Sequence, residues 1–194
     1  MRLIDDLDAA VEILRDGGVL VYPTETSYAL GCDATNEAAV ARVFAIKGRP
    51  EGKGTPLILP ADVDLQTYVQ ASETMFKLAD KYWPGPLNMI ALRAPESPVS
   101  TRCETDGTQS VRRSSHPVAA TLAHLLGRPL VATSANRSGE AAIYRVDELE
   151  AEFAQGETPD AVFAGGNLPV VPASTTVKVV GKDVVLIRQW SIVL

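Results

Sequence analysis

The chain has 194 residues, 46% of them hydrophobic, and a formal net charge of −6 at pH 7. This length and composition can bury a substantial core, and we expect one domain over residues 1–194. The acidic balance excludes bulk attraction of the whole chain to nucleic acid, whereas a local basic cleft stays compatible with it. Two cysteines, Cys32 and Cys103, are too few for a disulfide framework and form no CxxC pair.

The sequence also lacks the features of a membrane or metal-centred protein. No run of about 18 apolar residues is present, which a membrane-spanning helix would need. The amino-terminal stretch is acidic and amphipathic, unlike a secretory signal, and no zinc-binding motif is readable. We therefore expect a soluble cytoplasmic protein in a reducing compartment.

The first predicted elements are a helix and a buried strand. Apolar residues recur at helical spacing from Asp5 to Asp16, and Gly17-Gly18 supplies the helix end. The segment 19–31 then begins as a buried strand, which Pro23 ends because proline cannot donate to a sheet ladder. The hydroxyl side chains that follow lie at the carboxyl end of that strand, where open α/β sheets bind ligands: Thr24, Thr26, Ser27 and Tyr28.

The next region combines a helix with a loop that carries two cations. Asn36 can cap a helix that runs into Lys47, so the KGRP sequence lies where this helix ends. Residues 50–56 are rich in Gly and Pro and predict a loop that could close as a lid. A short apolar strand follows at 57–59.

Strands and helices alternate through the rest of the chain. The patterns predict helices over 72–82, 117–126 and 145–155, and strands over 87–92, 111–113, 130–133, 160–164, 175–180 and 184–188. This alternation predicts an α/β fold with a twisted, mixed β-sheet and flanking helices. In an extended strand successive side chains point to opposite faces, so Arg112 and Arg113 cannot both face one cleft.

Three short motifs carry groups suited to binding an anion, and each has a structural alternative. Lys47 and Arg49 flank a glycine and could converge on a phosphate, but cations are also favoured at the carboxyl end of a helix. Ser134-Ala135-Asn136 could hold ribose or phosphate, or form an ordinary turn. Ser174-Thr175 could line a site, or reflect β-propensity alone.

Several catalytic systems are excluded by spacing or by residue type. GRPEGKG lacks the spacing of a Walker A loop and no Ser or Thr follows its lysine. No GxGxxG occurs, and the two histidines, His116 and His124, support no Ser/His/Asp or Cys/His nucleophile.

The order of the motifs resembles one family. PTETSYALG, KGRP with PLIL, YWPGPL, SVRRSSHP, TSANRSG, STTV and a late LIR together resemble the YrdC/Sua5/TsaC family of threonylcarbamoyl-AMP synthases. The resemblance implies a YrdC-like fold around a basic cavity. It also implies synthesis of threonylcarbamoyl-AMP and pyrophosphate from L-threonine, bicarbonate and ATP. Partner proteins would use the product to make the t6A base of tRNA.

The resemblance also implies roles for individual residues. The threonine site is expected at Thr24, Arg112, Ala132 and Ser174. The ATP site is expected at Lys47, Arg49, Thr108, Ser134, Asn136 and Arg188, of which Lys47 and Arg49 neutralise phosphate charge during catalysis. Mg²⁺ would be held mainly by the triphosphate and by no dedicated protein site. The alternative hypothesis is an RNA-binding module of the same fold without adenylate chemistry. Its affinity for RNA would fall steeply as the salt concentration rises.

Overall fold

The computed structural model describes residues 2–193 and contains five α-helices and eleven strands. The helices are α1 (Leu7–Arg15), α2 (Glu37–Lys47), α3 (Glu73–Tyr82), α4 (Pro117–Leu126) and α5 (Val146–Glu152). The strands are β1 (Arg2–Ile4), β2 (Leu20–Pro23), β3 (Tyr28–Gly31), β4 (Leu57–Ile58), β5 (Leu87–Leu92), β6 (Thr108–Arg112), β7 (Leu130–Val131), β8 (Thr133–Ser134), β9 (Ala161–Phe163), β10 (Thr175–Val180) and β11 (Asp183–Arg188). The predicted helices are confirmed, although α5 is shorter than the predicted 145–155. No helix among the described residues is long and apolar enough to cross a membrane.

The strands form two mixed sheets. The first sheet has the order β1-β9-β2-β3-β8, and the second has the order β11-β10-β5-β6-β4-β7. In the second sheet β5 pairs in parallel with β10 and antiparallel with β6, so β5 is an interior strand. The mixed α/β class is confirmed, and the division of the strands between two sheets is a feature that the sequence did not predict.

Helix ends place the loop that carries Arg49. The Asn36 side chain accepts a hydrogen bond from the amide of Ala39 at 3.1 Å and caps α2 as predicted. Gly48 ends the helix in the left-handed conformation, with φ of 61°, which glycine adopts without steric cost. The chain then turns so that the Arg49 amide donates to the carbonyl oxygen of Phe44 at 2.9 Å.

The two sheets approach closely at Gly31. A Cβ atom on Gly31 would lie 1.7 Å from the carbonyl oxygen of Val131, so a side chain is excluded there. The Tyr22 hydroxyl donates to the same carbonyl oxygen at 2.7 Å. After Val131 the chain passes through Ala132 from β7 in the second sheet to β8 in the first. This crossing connects the two sheets directly and holds them on either side of the space between them.

Alternation along β5 and β6 separates the core from a polar face. Leu87, Met89 and Val111 are fully buried in the main apolar cluster. The opposite face of these strands carries mostly polar or charged side chains, which line two adjoining cavities: Asn88, Thr108, Ser110 and Arg112, together with the apolar Ile90. This face of β5 and β6 is therefore more polar than the core face, as expected when it binds a ligand.

Three strands go beyond the prediction: β1, β3 and β8, the last because the predicted strand 130–133 divides at Ala132. β1 has three residues, too few for a recognisable period, and it pairs in parallel with β9. β3 follows the hydroxyl-rich turn directly and pairs antiparallel with β2, with Pro23 opposite Tyr28. The hydroxyl-rich stretch is therefore the turn of a hairpin and does not lead away from the sheet.

Candidate active site

Two adjoining cavities share part of their walls, and the first of them lies between the sheets. The first chamber has a volume of about 360 Å³, and its wall includes Thr24, Thr26, Ser27, Arg112, Ala132, Ser134 and Ser174. The second chamber has a volume of about 470 Å³, and its wall includes Thr55, Cys103, Thr105, Thr108, Ser110 and Thr176. Five residues line both chambers: Arg49, Lys53, Pro56, Asn88 and Arg188. The shared wall makes the chambers two parts of one site.

The chambers are cationic although the chain is acidic. Arg49, Lys53 and Arg188 line both chambers, and Arg112 lines the first. Among the described residues, no carboxylate belongs to the lining of either chamber. Such a cluster concentrates positive potential in a cleft with low-dielectric walls, which favours an anionic ligand. The basic cavity expected from the resemblance is confirmed.

All four residues predicted for threonine line the first chamber: Thr24, Arg112, Ala132 and Ser174. They come from the β2–β3 turn, the end of β6, the β7–β8 crossing and the segment before β10. Thr24 is fixed because its Oγ1 donates to the carbonyl oxygen of Ser27 at 2.7 Å. The Ala132 amide donates to the carbonyl oxygen of Pro56 at 2.9 Å. The structure thus brings these four residues together, and their role in binding threonine stays a prediction.

Arg112 forms an ion pair with Glu25, a residue that was not predicted for the site. Arg112 Nη1 donates to Glu25 Oε1, and Ser114 Oγ donates to Glu25 Oε2 at 2.5 Å. The side chains of Arg112 and Glu25 are 4% and 12% exposed. Burial disfavours the Glu25 carboxylate, but Arg112 and Ser114 outweigh it and lower the pKa of Glu25. A signal was present in the sequence, since Glu25 is the one acid in a stretch of hydroxyl side chains.

Arg113 faces away from both chambers, as strand alternation predicted. Its Nη2 donates to the carbonyl oxygen of Val63 at 2.8 Å. Its guanidinium carbon lies 6.0 Å from the centre of the Trp83 ring. The two neighbouring arginines therefore belong to opposite faces of β6 and its continuation.

The residues predicted for ATP divide into two groups. Four line the chambers: Ser134 the first, Thr108 the second, and Arg49 and Arg188 both. Arg188 Nε and Nη2 donate to the carbonyl oxygen of Ser174 at 3.2 and 3.0 Å. These bonds hold Arg188 against the segment that carries Ser174, one of the residues predicted to bind threonine.

Lys47 and Asn136 lie behind the wall of the first chamber. Lys47 Nζ donates to the carbonyl oxygens of Ser134 and Asn136, at 2.7 Å each, and to Asn136 Oδ1 at 3.3 Å. Asn136 Nδ2 donates to the carbonyl oxygens of Arg137 and Glu140, both at 2.8 Å. Burial lowers the pKa of Lys47 to about 8, and the nearby Arg49 charge adds to this shift. In this structure Lys47 supports the Ser134–Asn136 loop, and direct contact with ATP stays a prediction for both residues.

Arg49 is bonded to the loop that was predicted as a lid. Its Nε donates to the carbonyl oxygen of Lys53 at 2.7 Å and its Nη2 to that of Gly54 at 2.5 Å. The Gly54 amide in turn donates to Thr105 Oγ1 at 2.8 Å. The loop is therefore tied to the second chamber through Arg49, and closure of the loop over a ligand stays a prediction.

Groups suited to covalent or metal chemistry are not prominent near the chambers. Cys103 lines the second chamber, but burial raises the pKa of its thiol to about 12, so the thiolate is scarce at neutral pH. No cluster of three His, Cys, Asp or Glu side chains able to hold a metal ion occurs within residues 2–193. The site is suited to binding and orienting anions.

A larger cavity lies elsewhere on the second sheet. Its volume is about 670 Å³, and its wall includes Val69, Leu92, Lys178 and Val180. Of the residues predicted for the site, this wall contains Thr108 alone. This larger cavity has a single cation in its wall and is largely apolar. The two chambers are therefore the better candidates for an anionic substrate.

This combination of fold and site defines an α/β protein with two mixed sheets and a divided, cationic ligand cavity. Residues 12–189 match the family described as Telomere recombination, which groups Sua5, YciO and YrdC proteins. The chain belongs to this Sua5/YciO/YrdC family.

Known proteins of similar sequence and structure support this placement. The chain is 38% identical over 152 residues to threonylcarbamoyl-AMP synthase of Vibrio cholerae, covering 77% of this chain and 80% of that protein. The fold is similar to Sua5 of P. abyssi solved with L-threonine, at a TM-score of 0.85 and 28% identity. That match covers 96% of this chain and 56% of the Sua5 chain, so this chain spans little more than half of that protein. E. coli YciO matches with a TM-score of 0.83 and 28% identity, covering 98% of this chain and 94% of YciO.

Proposed function

We propose that this protein is a threonylcarbamoyl-AMP synthase, a nucleotidyltransferase that makes the adenylate and pyrophosphate from L-threonine, bicarbonate and ATP. The observation that carries the proposal is the first chamber, where Thr24, Arg112, Ala132 and Ser174 surround one cavity next to a cationic chamber. A relative named for this activity, 38% identical over 77% of the chain, supports the same reaction. No observation on the described residues favours the RNA-binding alternative.

Arg112 is the proposed anchor for the threonine carboxylate. Its planar guanidinium can donate two parallel hydrogen bonds to a carboxylate, which a lysine cannot. Glu25 holds Nη1 from one side, and Arg112 also lines the first chamber. Thr24 and Ser174 supply hydroxyls on the same wall for the amino and hydroxyl groups of threonine.

The proposed reaction needs orientation and charge neutralisation, and no covalent intermediate on the protein. The amine of threonine takes up carbon dioxide derived from bicarbonate to give a carbamate. A carbamate oxygen then attacks the α-phosphorus of ATP while pyrophosphate leaves. Cations that line both chambers, Arg49 and Arg188 above all, neutralise the phosphate charge as it develops.

The second chamber is the proposed place of the nucleoside. Thr108, Ser110 and Thr176 supply hydroxyls there for the ribose or the base. Mg²⁺ would come with ATP, bound to triphosphate oxygens, because the chamber linings offer cations and hydroxyls in place of carboxylate ligands.

The product determines the partners that we propose. Threonylcarbamoyl-AMP is a mixed anhydride, so its threonylcarbamoyl group is activated for transfer, and the proposed partner proteins transfer it to adenosine of tRNA as t6A. We place this step in the cytoplasm, where ATP and tRNA are available.

Selectivity for the amino acid tests the proposal. The protein would be incubated with ATP, Mg²⁺, bicarbonate and each amino acid in turn, and pyrophosphate release would be measured. We expect release with threonine and little with alanine, which lacks the hydroxyl group. Absence of release with every amino acid would overturn the proposal.

A further inference from the structure

Asn88 occupies an unusual position on β5. Its relative exposure is 5%, and it lines both chambers. Its strand neighbours Leu87 and Met89 are fully buried in the apolar core on the other face of the sheet. Asn88 lies opposite Thr176 of β10 in the register of the second sheet, away from the sheet edges. A polar amide therefore lies at the point where the two parts of the site meet.

The Asn88 side chain has an oxygen atom, Oδ1, that can still accept a hydrogen bond. Its Oδ1 is buried and has no hydrogen-bond partner among the described residues. Since a buried polar atom without a partner opposes folding, proteins retain few of them, and each one that is retained calls for an explanation. An apolar residue of similar size would suit this interior strand better. The amide thus has a cost in stability, which indicates a role other than packing.

Charge distinguishes Asn88 from its neighbours at the junction. The other polar residues that line both chambers are the cations Arg49, Lys53 and Arg188. Cations suit groups that stay anionic throughout, such as the phosphates and the amino-acid carboxylate. A neutral amide, which offers both a donor and an acceptor, suits a group whose charge is lost during the reaction.

We propose that Asn88 is a catalytic residue whose Nδ2 donates a hydrogen bond to an oxygen of the carbamate group while the carbamate is converted into the mixed anhydride. This inference rests on the proposed function. In that step one carbamate oxygen forms a bond to the α-phosphorus. The bond from this phosphorus to the bridging oxygen of the β-phosphate breaks, and pyrophosphate leaves with the electron pair. The carbamate charge falls as the new bond forms, so a neutral partner orients the carbamate without overstabilising its ground state.

The substitution Asn88→Leu tests the proposal because it separates catalysis from folding. The variant removes the amide but keeps the number and branching of the side-chain heavy atoms, and its larger methyl groups can extend into the chambers, so we expect a thermal unfolding midpoint equal to or above that of the wild type. We expect kcat for pyrophosphate release to fall about 10- to 100-fold, as for loss of one hydrogen bond to a charged group. The affinities for threonine and ATP, measured by calorimetry, should stay within about threefold.

Two further variants sharpen the test. Asn88→Asp keeps the shape but adds a negative charge, which repels the carbamate and the phosphates, so its kcat should fall at least as far as that of Asn88→Leu. Ser97→Ala is the matched control, because Ser97 Oγ is also buried without a partner but lies outside both chambers. Ser97→Ala should retain wild-type kcat.

The outcomes distinguish this inference from the proposed function. If the wild type releases no pyrophosphate with any amino acid, the proposed function fails and the inference fails with it. If the wild type is active and the kcat of Asn88→Leu stays within about threefold of the wild-type value, the catalytic role assigned to Asn88 is wrong, while the proposed function stands. A lower unfolding midpoint of Asn88→Leu, with threonine and ATP affinities reduced in parallel, would also overturn the role, because Asn88 would then be structural.

Discussion

Arg112 and Glu25 form an ion pair between the two sheets, at the wall of the first chamber. The pair joins the end of β6 to the β2–β3 turn, two segments 87 residues apart in sequence. Ser114 completes the arrangement by donating to the second oxygen of the carboxylate at 2.5 Å. Glu25 therefore fixes the guanidinium that we propose to bind the threonine carboxylate.

The first prediction concerns Glu25→Gln. The variant leaves the buried Arg112 charge without its counter-charge, and loss of one partner of a buried pair costs about 3 kcal/mol of stability. Threonine should protect this variant, because its carboxylate restores a negative charge beside Arg112. Urea unfolding at neutral pH, with and without threonine, measures both effects.

The same pair predicts a pH dependence. The pKa of Glu25 in the folded protein lies below its ordinary value of 4.5. Between these two values the unfolded chain binds more protons than the folded protein, so the free energy of unfolding falls as the pH drops through this window. The difference in stability between wild type and Glu25→Gln should therefore shrink below pH 4.5. A difference that stays constant from neutral pH into this range would contradict the role of the ion pair.

The second prediction separates Arg112 from Arg113. Arg112→Lys keeps a positive charge but loses the two-pronged geometry, so we expect the threonine Kd to rise sharply while the ATP Kd changes little. Arg113→Ala, on the opposite face, should change neither affinity by much. Calorimetry with threonine and with ATP measures both variants.

One combination of results would contradict the assignment of Arg112 to the threonine site. An Arg112→Lys variant with wild-type threonine affinity, together with an Arg113→Ala variant that loses it, would show that the wrong arginine has been assigned to the substrate.

The third prediction distinguishes Arg49 from Lys47. Arg49 lines both chambers, so Arg49→Ala should reduce transition-state stabilisation by about 2 to 4 kcal/mol. Lys47→Met removes the donor of two loop carbonyl oxygens, which should cost about 1 to 3 kcal/mol of stability in addition to its effect on turnover. Steady-state kinetics and urea unfolding of both variants provide the comparison.

Wild-type turnover in both variants would refute the assignment of these cations to the triphosphate. The alternative interpretation, cations that merely stabilise the end of α2, would then explain both residues.

The sequence predicted the fold class and the order of most elements because their signals are local. Helical spacing, the Asn36 cap and the glycine after α2 depend on residues close in the chain. The division of strands between two sheets depends instead on contacts such as that of Gly31 with Val131, which local patterns do not contain.

The candidate site was predictable in part for the same reason. The order of the motifs predicted that Arg112 and Ser174 belong to the site, and both line the first chamber. Strand alternation correctly predicted that Arg112 and Arg113 lie on opposite faces. Glu25 was missed because its partner lies far away in sequence, and only the folded chain brings them together. Asn88 was missed because an isolated amide in a strand has no recognisable motif.

The most direct test of the account is the transfer of labelled carbon from bicarbonate into an adenylate. The protein would be incubated with threonine, ATP, Mg²⁺ and carbon-13 bicarbonate, and the products would be analysed by chromatography and mass spectrometry. We expect a product that contains threonine, AMP and one labelled carbon, formed together with an equal amount of pyrophosphate. ATP consumption without such a product, or no consumption of ATP in the presence of threonine, would contradict it.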